Sequence, residues 1–275
     1  MATPTSGTIS IGVINSVFGR GNNLNAYRGT VWYQPNSLVT GNFSSGAISL
    51  SDFYNKQPTD PATTGSQTFS TPGTTTFTVP LYRNSLTVQI WGAGGGGGGY
   101  GSSAVYSYAG GNSSFYDAYA SGGNGGQMAG TSIYGGNVYG AGGAGGSSAY
   151  GNSIILGGNA GYAGDSGILG VGAGAPNGGG NATPGFRQTP AQYGTFPGGG
   201  GAGFYYDTGG KFPAVAGGGG SGAFAQSVWA GGAFAAGSSI TVVVGAGGQS
   251  GTDSSSGYYP YGGVGGNGQV YVVWS

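Results

Sequence analysis

The side chains that could carry out catalysis are few and lie far apart in the sequence. Gly164-Asp165-Ser166-Gly167 resembles the nucleophile motif of serine proteases, but the chain contains no histidine that could act as a base toward Ser166. The acidic side chains do not cluster in the sequence, which gives no paired carboxylates for glycoside hydrolysis. We therefore expect a protein without catalytic residues. The acidic residues are Asp52, Asp60, Asp117, Asp165, Asp207 and Asp253.

Sites for phosphate groups, dinucleotides and metal ions are not indicated either. Lys211 follows Gly209-Gly210, but Tyr205 and Phe212 stand where a phosphate-binding loop needs a glycine and a hydroxyl side chain. Glycine accounts for 70 of 275 residues, so patterns such as G-x-G-x-x-G arise from composition alone. Because the sequence has no cysteine, no histidine and no Asp-x-Asp pattern, we expect no metal site and no cofactor.

The charge balance limits the classes of partner. Six basic and six acidic side chains make up 4% of the chain and give a net charge of zero, so we expect no nucleic-acid partner. Residues 1–5 have no signal-peptide pattern, and no stretch approaches the ~18 apolar residues that span a bilayer. Because the chain has no cysteine, it must fold in the same way in reducing and oxidising surroundings, which suits a protein that is made in a cytoplasm without a signal peptide and is used outside it.

Glycine and aromatic residues dominate the composition. Ordering glycine costs about 0.5–1 kcal/mol more than ordering alanine in regular structure. Against this stand 20 Tyr, 12 Phe and 4 Trp, each able to contribute roughly 4–6 kcal/mol when its ~150–250 Å² is buried. Disordered chains are usually charged and poor in aromatic residues, so this composition predicts an ordered protein.

Residues 1–57 contain little glycine and predict a small α+β module. Apolar residues at helical spacing lie between Ser10, a suitable N-cap, and Gly19, which predicts a short helix. Thr30 to Tyr33 has the composition of a strand.

A second helix is predicted at the end of this module, at Ser49 to Tyr54. Ser49 and Asp52 have the spacing of a capping box there. Residues 58–73 are rich in Thr, Ser and Pro, which predicts a linker.

Residues 74–275 are predicted to form one glycine-rich domain framed by β-strands. The strand patterns lie at both ends of the domain, so we expect the strands from the two ends to pair in one sheet. Everything between them consists of glycine runs and irregular inserts. The predicted strands are Thr75 to Val79, Ser85 to Trp91, Ser239 to Val244 and Gln269 to Trp274.

The glycine runs are three to nine residues long and predict polyglycine II helices. A run without side chains can adopt the polyproline II conformation, with three residues per turn and a rise of ~3.1 Å. Packed side by side, such helices can pair their N–H and C=O groups with those of their neighbours. A collagen triple helix is disfavoured because glycine does not recur at every third position and proline is only 12 of 275 residues.

The inserts carry the aromatic side chains. If each glycine helix turns back at its end, alternate inserts collect at one end of the bundle as a surface of Tyr, Phe, Ser and Asn side chains. Tyrosine offers a large contact area at low entropic cost, as in antibody paratopes. The consecutive pairs Tyr205-Tyr206 and Tyr258-Tyr259 cannot both face inward on a strand, so we prefer them as contact residues. About half of the aromatic residues are expected to pack, and the structural set includes Trp91, Trp229, Trp274, Val242 and Val244.

The strand-and-glycine frame of the second domain resembles the glycine-rich domains of bacteriophage tail and fibre proteins. The resemblance covers about residues 66–275, and the alternation of polyglycine runs with variable loops is similar to that in the tail-fibre-tip adhesins of T-even-like phages. Ile9 to Asn15, with Gly46 to Lys56, resembles a module of phage tail proteins that joins a binding part to the particle. The motifs are Phe77-Thr78-Val79-Pro80, Leu86-Thr87-Val88-Gln89-Ile90-Trp91-Gly92-Ala93-Gly94-Gly95, Ile240-Thr241-Val242-Val243-Val244-Gly245-Ala246-Gly247-Gly248 and Gly266-Asn267-Gly268-Gln269-Val270-Tyr271-Val272.

The resemblance implies a virion protein that binds other tail proteins through residues 1–57 and a host surface glycan or outer-membrane protein through its loops. It leaves open whether the chain is a monomer or a homotrimer. The expected virion-attachment residues are Ile11, Ile14, Phe18, Trp32, Phe53 and Tyr54. The expected receptor-binding residues are Tyr106, Tyr108, Tyr116, Phe186, Tyr193, Tyr205, Tyr206, Tyr258, Tyr259 and Tyr261.

Two other functions are compatible with such a chain. One is a structural virion component of the tail, baseplate or head decoration, without direct receptor binding. The other is an ice-binding protein, for which we expect regularly spaced Thr or Ala on a flat face. The sequence does not display that spacing.

Overall fold

The computed structural model describes residues 1–99, 107–127, 138–147, 149–163, 170–186, 191–206, 214–251 and 261–275. Within these ranges the chain is mostly β and irregular, with few helices. The helices are α1 (Ile11–Phe18) and the 3-10 helices Leu24–Tyr27 and Leu50–Phe53. The strands are β1 (Val31–Tyr33), β2 (Thr40–Asn42), β3 (Gly65–Phe69), β4 (Gly73–Thr78), β5 (Ser85–Trp91), β6 (Ser113–Phe115), β7 (Ala118–Ala120), β8 (Val138–Tyr139), β9 (Ala149–Tyr150), β10 (Ile154–Leu156), β11 (Gly185–Phe186), β12 (Phe204–Tyr206), β13 (Ala214–Val215), β14 (Phe224–Ala230), β15 (Ser239–Val244) and β16 (Gln269–Trp274).

Helix α1 begins and ends where the sequence predicts. The Ser10 hydroxyl accepts a hydrogen bond from the Val13 N–H at 3.3 Å, which is the usual role of an N-cap. Gly19 ends the helix at φ 66°, in the left-handed region that favours glycine. The second predicted helix forms as a 3-10 turn, and the Ser49 N–H donates to Asp52 Oδ2 at 2.7 Å.

An aromatic cluster forms the core of the N-terminal module. Phe43 and Phe53 stack at a centroid distance of 4.1 Å, and Phe18 meets both rings edge-on. The buried members are Ile9, Ile14, Phe18, Tyr27, Phe43 and Phe53. Strands β1 and β2 form an antiparallel pair beside this cluster.

Two five-stranded sheets form a β-sandwich. Sheet I has the strand order β10-β14-β5-β16-β3, and sheet II has the order β4-β15-β6-β7-β9. Alternate residues of β5 are buried between the sheets, as the predicted alternation of Leu86, Val88 and Ile90 requires. Val242, Val244 and Val272 come from the strands near the C-terminus and join the same core.

Two predictions about this region are wrong, and one strand was missed. The predicted linker contains β3, which is the edge strand of sheet I and pairs with β16 because Phe69 packs against the core. The framing strands do not share one sheet, since β5 pairs with β16 in sheet I and β4 pairs with β15 in sheet II. Strand β14 lies between β5 and β10 and was not predicted.

Arg83 connects the N-terminal module to the sandwich. Its guanidinium donates to both carboxylate oxygens of Asp60, at 2.5 and 2.7 Å, and to the Leu38 carbonyl oxygen at 3.2 Å. The Arg83 guanidinium also lies 5.5 Å from the centre of the Tyr33 ring. The hydrogen bonds from Arg83 lower the pKa of the Asp60 carboxyl below its ordinary value. Leu38 and Tyr33 of the module are thus in contact with Arg83, which lies just before β5.

Segments of glycine continue directly from the strands of the sandwich. The segment 93–98, which follows β5, donates N–H groups to three neighbouring segments in turn. Ala93 and Gly96, which are three residues apart, donate to Gly111 and Tyr108 of one segment. Gly94 and Gly97 donate in the same way to a second segment, and Gly95 and Gly98 donate to a third. The four donor and acceptor pairs with these two segments are Gly94 with Gly266, Gly97 with Gly263, Gly95 with Gly220 and Gly98 with Gly217.

The carbonyl groups of the same segment accept from three further segments. Gly123 and Gly126 donate to Ala93 and Gly96, and the segments at 201–204 and 248–251 supply the other donors. Each backbone group of residues 93–98 therefore has a partner, and each contact recurs at every third residue. An interior without side chains is stabilised here by complete pairing of its backbone polar groups.

The direction of the chain alternates from one glycine segment to the next. Residues that donate to segment 93–98 do so in parallel order, whereas residues that accept from it run in antiparallel order. The chain runs away from the sandwich in 92–98, 121–127, 157–162, 181–184, 198–204 and 245–251. It returns in 107–111, 140–146, 170–174, 191–195, 214–223 and 261–268.

Candidate binding surface at one end of the glycine segments

The chain direction alternates between glycine segments. The residues at which one segment stops running away from the sandwich and the next begins to return therefore lie together, at the end of the glycine segments that is far from the sandwich. We call this the insert end, and we call the opposite end, where β5, β14, β15 and β16 meet the glycine segments, the sheet end. A segment of six residues spans about 19 Å at a rise of 3.1 Å. The described residues at the insert end are 99, 107, 127, 138, 163, 170, 186, 191, 206, 214, 251 and 261.

Hydrogen bonds align the segments near the insert end. The Gly98 N–H donates to Gly217 O at 2.9 Å, the Gly217 N–H donates to Gln127 O at 3.0 Å, and the Gly251 N–H donates to Gly97 O at 3.0 Å. Segments from distant parts of the sequence therefore end at a similar level. The connections between them leave from and return to one surface.

A four-stranded sheet lies at the insert end, in the order β11-β12-β13-β8. Its register places Phe186, Tyr205, Val215 and Tyr139 in one row across the strands. Two predicted contact residues, Phe186 and Tyr205, thus occupy paired positions on neighbouring strands, and Tyr206 follows on β12. Residues 187–190 and 207–213 connect from these strands.

Exposed tyrosines begin or end several segments near the insert end. Among the predicted contact residues, Tyr108 is 63% exposed, Tyr193 is 71% exposed and Tyr261 is 42% exposed. Tyr162 ends the segment 157–162 and is 53% exposed, although the sequence did not single it out. An exposed aromatic ring on a rigid backbone segment has the properties of a binding hot spot.

Several predicted residues lie outside the described part of the chain. These are Tyr106, Tyr258 and Tyr259 among the contact residues, together with Ser166 and Lys211 of the rejected catalytic and phosphate motifs. The described residues at the insert end are all uncharged.

Tyr116 lies at the sheet end, away from the other predicted contact residues. It occupies the turn between β6 and β7, at φ 56°, and its ring meets Phe234 edge-on at 5.1 Å. The expected grouping of Tyr116 with the other receptor-binding residues is therefore wrong, because the returning segment 107–111 separates Tyr116 from Tyr108. The hairpin β6–β7 belongs to sheet II.

The predicted attachment residues are mostly structural. Ile14, Phe18 and Phe53 are buried in the core of the module, so they hold its fold together and cannot offer a contact surface. Ile11 is partly buried against the same core. This corrects the predicted role of Ile14, Phe18 and Phe53, whereas the role of Ile11 stays a prediction.

Trp32 and Tyr54 are also held by contacts within the module. The Lys56 ammonium lies 4.0 Å from the centre of the Trp32 ring, and Tyr54 Oη donates to the Gly7 carbonyl oxygen. Burial lowers the pKa of Lys56 from its ordinary value. The exposed large apolar side chains of this module are instead Met1, Val31 and Val39.

Strand β4 carries a short threonine array that the sequence analysis did not find. Thr74, Thr76 and Thr78 alternate on its exposed face, and Thr76 pairs with the exposed Thr241 of β15. The array covers one edge strand and one residue of its neighbour, so the regular threonine surface is small.

The other structural assignments agree with the sequence. Trp91 is buried, as are Val242 and Val244, two of the three valines of β15, and Trp229 and Trp274 pack against the core of the sandwich. In the described ranges no cluster of three or more His, Cys, Asp or Glu side chains could hold a metal ion. The helices of this part of the chain are too short to cross a membrane. Comparison with protein-family models, with curated proteins and with solved structures finds no match to this chain.

Proposed function

We propose that this chain is a bacteriophage tail fibre or adhesin protein that recognises a host surface through the insert end. The observation that carries the proposal is the strict alternation of the glycine segments, which brings connections from the whole domain to one surface. A scaffold without side chains leaves recognition to the residues at its ends. The exposed Tyr108, Tyr162, Tyr193 and Tyr261 supply uncharged aromatic contacts there.

The glycine segments are proposed to be polyglycine II helices. Their hydrogen bonds recur at every third residue and connect each segment to neighbours on all sides, as in segment 93–98. This arrangement makes the scaffold rigid, since each N–H and C=O group of the central segment 93–98 is already paired. A rigid scaffold lowers the entropic cost of binding at its end.

The N-terminal module is proposed to attach the protein to the particle. The resemblance of Ile9 to Asn15 and Gly46 to Lys56 to phage tail modules supports this role. Arg83 holds the module against the sandwich through Asp60 and Leu38, at the end of the molecule opposite to the insert end. The partners would be a host surface glycan or outer-membrane protein at one end and other tail proteins at the other.

Binding to intact bacteria tests the proposal. Fluorescently labelled full-length chain is incubated with a panel of Gram-negative and Gram-positive strains, and bound label is measured by flow cytometry. We expect saturable labelling of at least one strain, and we expect unlabelled chain to block adsorption of phages that infect it. If no strain is labelled, or if labelled strains adsorb phage equally well in the presence of excess chain, the proposal is wrong.

The second candidate is a structural virion component without receptor binding. It is favoured by β10, whose residues Ile154, Ile155 and Leu156 are exposed on an edge strand that pairs with β14. An uncharged apolar edge can add a strand from another chain. This candidate predicts that Ile155→Lys prevents incorporation into particles, whereas the adhesin proposal predicts that purified Ile155→Lys protein still labels cells.

A further inference from the structure

A groove of about 470 Å³ lies at the sheet end, far from the insert end. It is bounded by the β6–β7 turn on one side and by the turn before β15 on the other. Its lining is uncharged and combines aromatic rings with hydroxyl groups. The lining residues are Ser114, Tyr116, Phe234, Ser238, Ser239, Ile240 and Thr241.

Tyr116 forms the exposed aromatic part of this groove. Its ring is 64% exposed although Phe234 and Trp229 support it edge-on, at 5.1 and 6.4 Å. Trp229 in turn contacts Phe115 of the buried core at 5.9 Å. The ring of Tyr116 is therefore held in place by packed aromatic neighbours while much of its surface stays open to a ligand.

Three hydroxyl groups lie beside this ring. Among the described residues, the side chains of Ser114, Ser239 and Thr241 make no hydrogen bond to protein atoms, whereas the Ser238 hydroxyl donates to Ala235 O at 2.6 Å. A hydroxyl group can donate one hydrogen bond and accept others. The groove thus offers several free donors and acceptors next to an aromatic surface.

We propose that this groove binds a neutral saccharide, as a second site separate from the insert end. A sugar ring presents an apolar C–H face, which suits the Tyr116 ring, and hydroxyl groups at its edge, which suit Ser114, Ser239 and Thr241. The absence of charged side chains from the lining favours a neutral ligand over an anionic one.

A peptide strand fits the groove less well. Strand β6 pairs with β15 at Val242 and Val243. The edge of β15 that remains unpaired beside the groove therefore consists of residues 239–241. Such a short edge gives an added strand few backbone hydrogen bonds. Binding of a peptide instead of a saccharide is therefore an outcome that would contradict the proposal.

Trp229 fluorescence provides the measurement, because Trp229 contacts Tyr116 directly. Full-length chain is titrated with neutral mono-, di- and trisaccharides of glucose, galactose, mannose and N-acetylglucosamine, and the same chain is applied to a glycan array. We expect a saturable change with at least one of these sugars. Tyr116→Ala and Thr241→Val should weaken binding by about tenfold, and Tyr116→Phe should retain it.

Tyr150→Ala is the matched control, since Tyr150 is exposed on sheet II but does not line the groove. Its affinity should equal that of the wild type. The proposal is overturned if no neutral saccharide binds at up to about 50 mM, where a site with a millimolar Kd is saturated. It is equally overturned if Tyr116→Ala binds as well as the wild type, or if array binding is confined to charged glycans or peptides. Saccharide binding in the groove does not depend on recognition through the insert end, so the two proposals can fail separately.

Discussion

Gly95 and Gly220 lie on neighbouring antiparallel segments, and the Gly95 N–H donates to the Gly220 carbonyl oxygen at 2.8 Å. A Cβ atom at Gly95 would lie 2.0 Å from the carbonyl oxygen of Asn124, and a Cβ at Gly220 would lie 2.2 Å from that of Ala144. Real Cβ atoms do not approach so closely, so side chains are excluded from both positions. The glycines are therefore required by the spacing of the backbones, which in turn permits the hydrogen bonds.

Gly95→Ala should destabilise the domain severely. The methyl group must push apart two backbones whose hydrogen bonds are buried, so we expect a loss of at least about 3 kcal/mol in the free energy of unfolding. Gly157→Ala is the control, because the nearest atom to its Cβ, Gly146 O, is 3.7 Å away. Urea unfolding followed by circular dichroism measures both, and equal stability of the two variants would contradict the close packing of these segments.

Phe53→Ala should unfold the N-terminal module. Phe53 is fully buried and stacks on Phe43, so truncation should cost about 3–5 kcal/mol. Trp32→Ser should cost less because Trp32 is only partly buried. Chemical-shift changes confined to residues 1–57 would support this assignment, whereas a folded Phe53→Ala module that fails to join particles would show that Phe53 is a contact residue.

The pairing of Asp60 with Arg83 should make stability depend on pH. The hydrogen bonds from Arg83 hold the pKa of the Asp60 carboxyl below its ordinary value of 3.8. A lowered carboxyl pKa means that the ion pair stabilises the fold above the unfolded-state pKa, and that this contribution is lost as pH falls through the folded-state pKa. Since both side chains are about one-third exposed, we expect about 1 kcal/mol or less.

The comparison of wild type with Asp60→Asn isolates this contribution. Their free energies of unfolding should differ by a constant amount above about pH 5, and the difference should shrink as pH falls below 3.8. Urea unfolding between pH 2 and pH 7 provides the measurement. A difference that stays constant, or grows, as pH falls would contradict the pairing.

Local patterns were sufficient to predict some elements. Ser10 and Gly19 mark the ends of α1 because capping is decided by neighbouring residues. Strands β5, β15 and β16 have the predicted bounds because their apolar residues form continuous or alternating patterns. Burial of Val242 and Val244 follows from the same patterns.

Tertiary partners decided the elements that were missed. The polar residues of β3 are compatible with a linker, and they form a strand because β16 lies beside them. Phe53 was expected at a surface, but the rings of Phe18, Tyr27 and Phe43, which are distant in sequence, pack around it. Tyr116 was placed with the wrong group because the sequence does not show where a returning segment ends. Short glycine segments carry no pattern that tells which neighbours they will contact.

The central claim is that the insert end recognises the host surface. The affinity of a variant with an altered insert end for bacterial cells tests it most directly. The test variant carries Tyr108→Ser, Tyr193→Ser and Tyr261→Ser, and the control carries Tyr119→Ser and Tyr150→Ser, which replace exposed tyrosines of sheet II. Both are made in a Tyr116→Ala background so that the groove at the sheet end does not contribute. Cell binding is measured as the Kd of the full-length labelled chain.

If the insert end recognises the host surface, the test variant should bind at least about tenfold more weakly than the control, since exposed aromatic hot spots contribute about 2 kcal/mol each. Both variants should unfold at the same urea concentration as the Tyr116→Ala protein, because none of the replaced side chains is buried. Equal Kd values for the test and control variants would contradict recognition through the insert end.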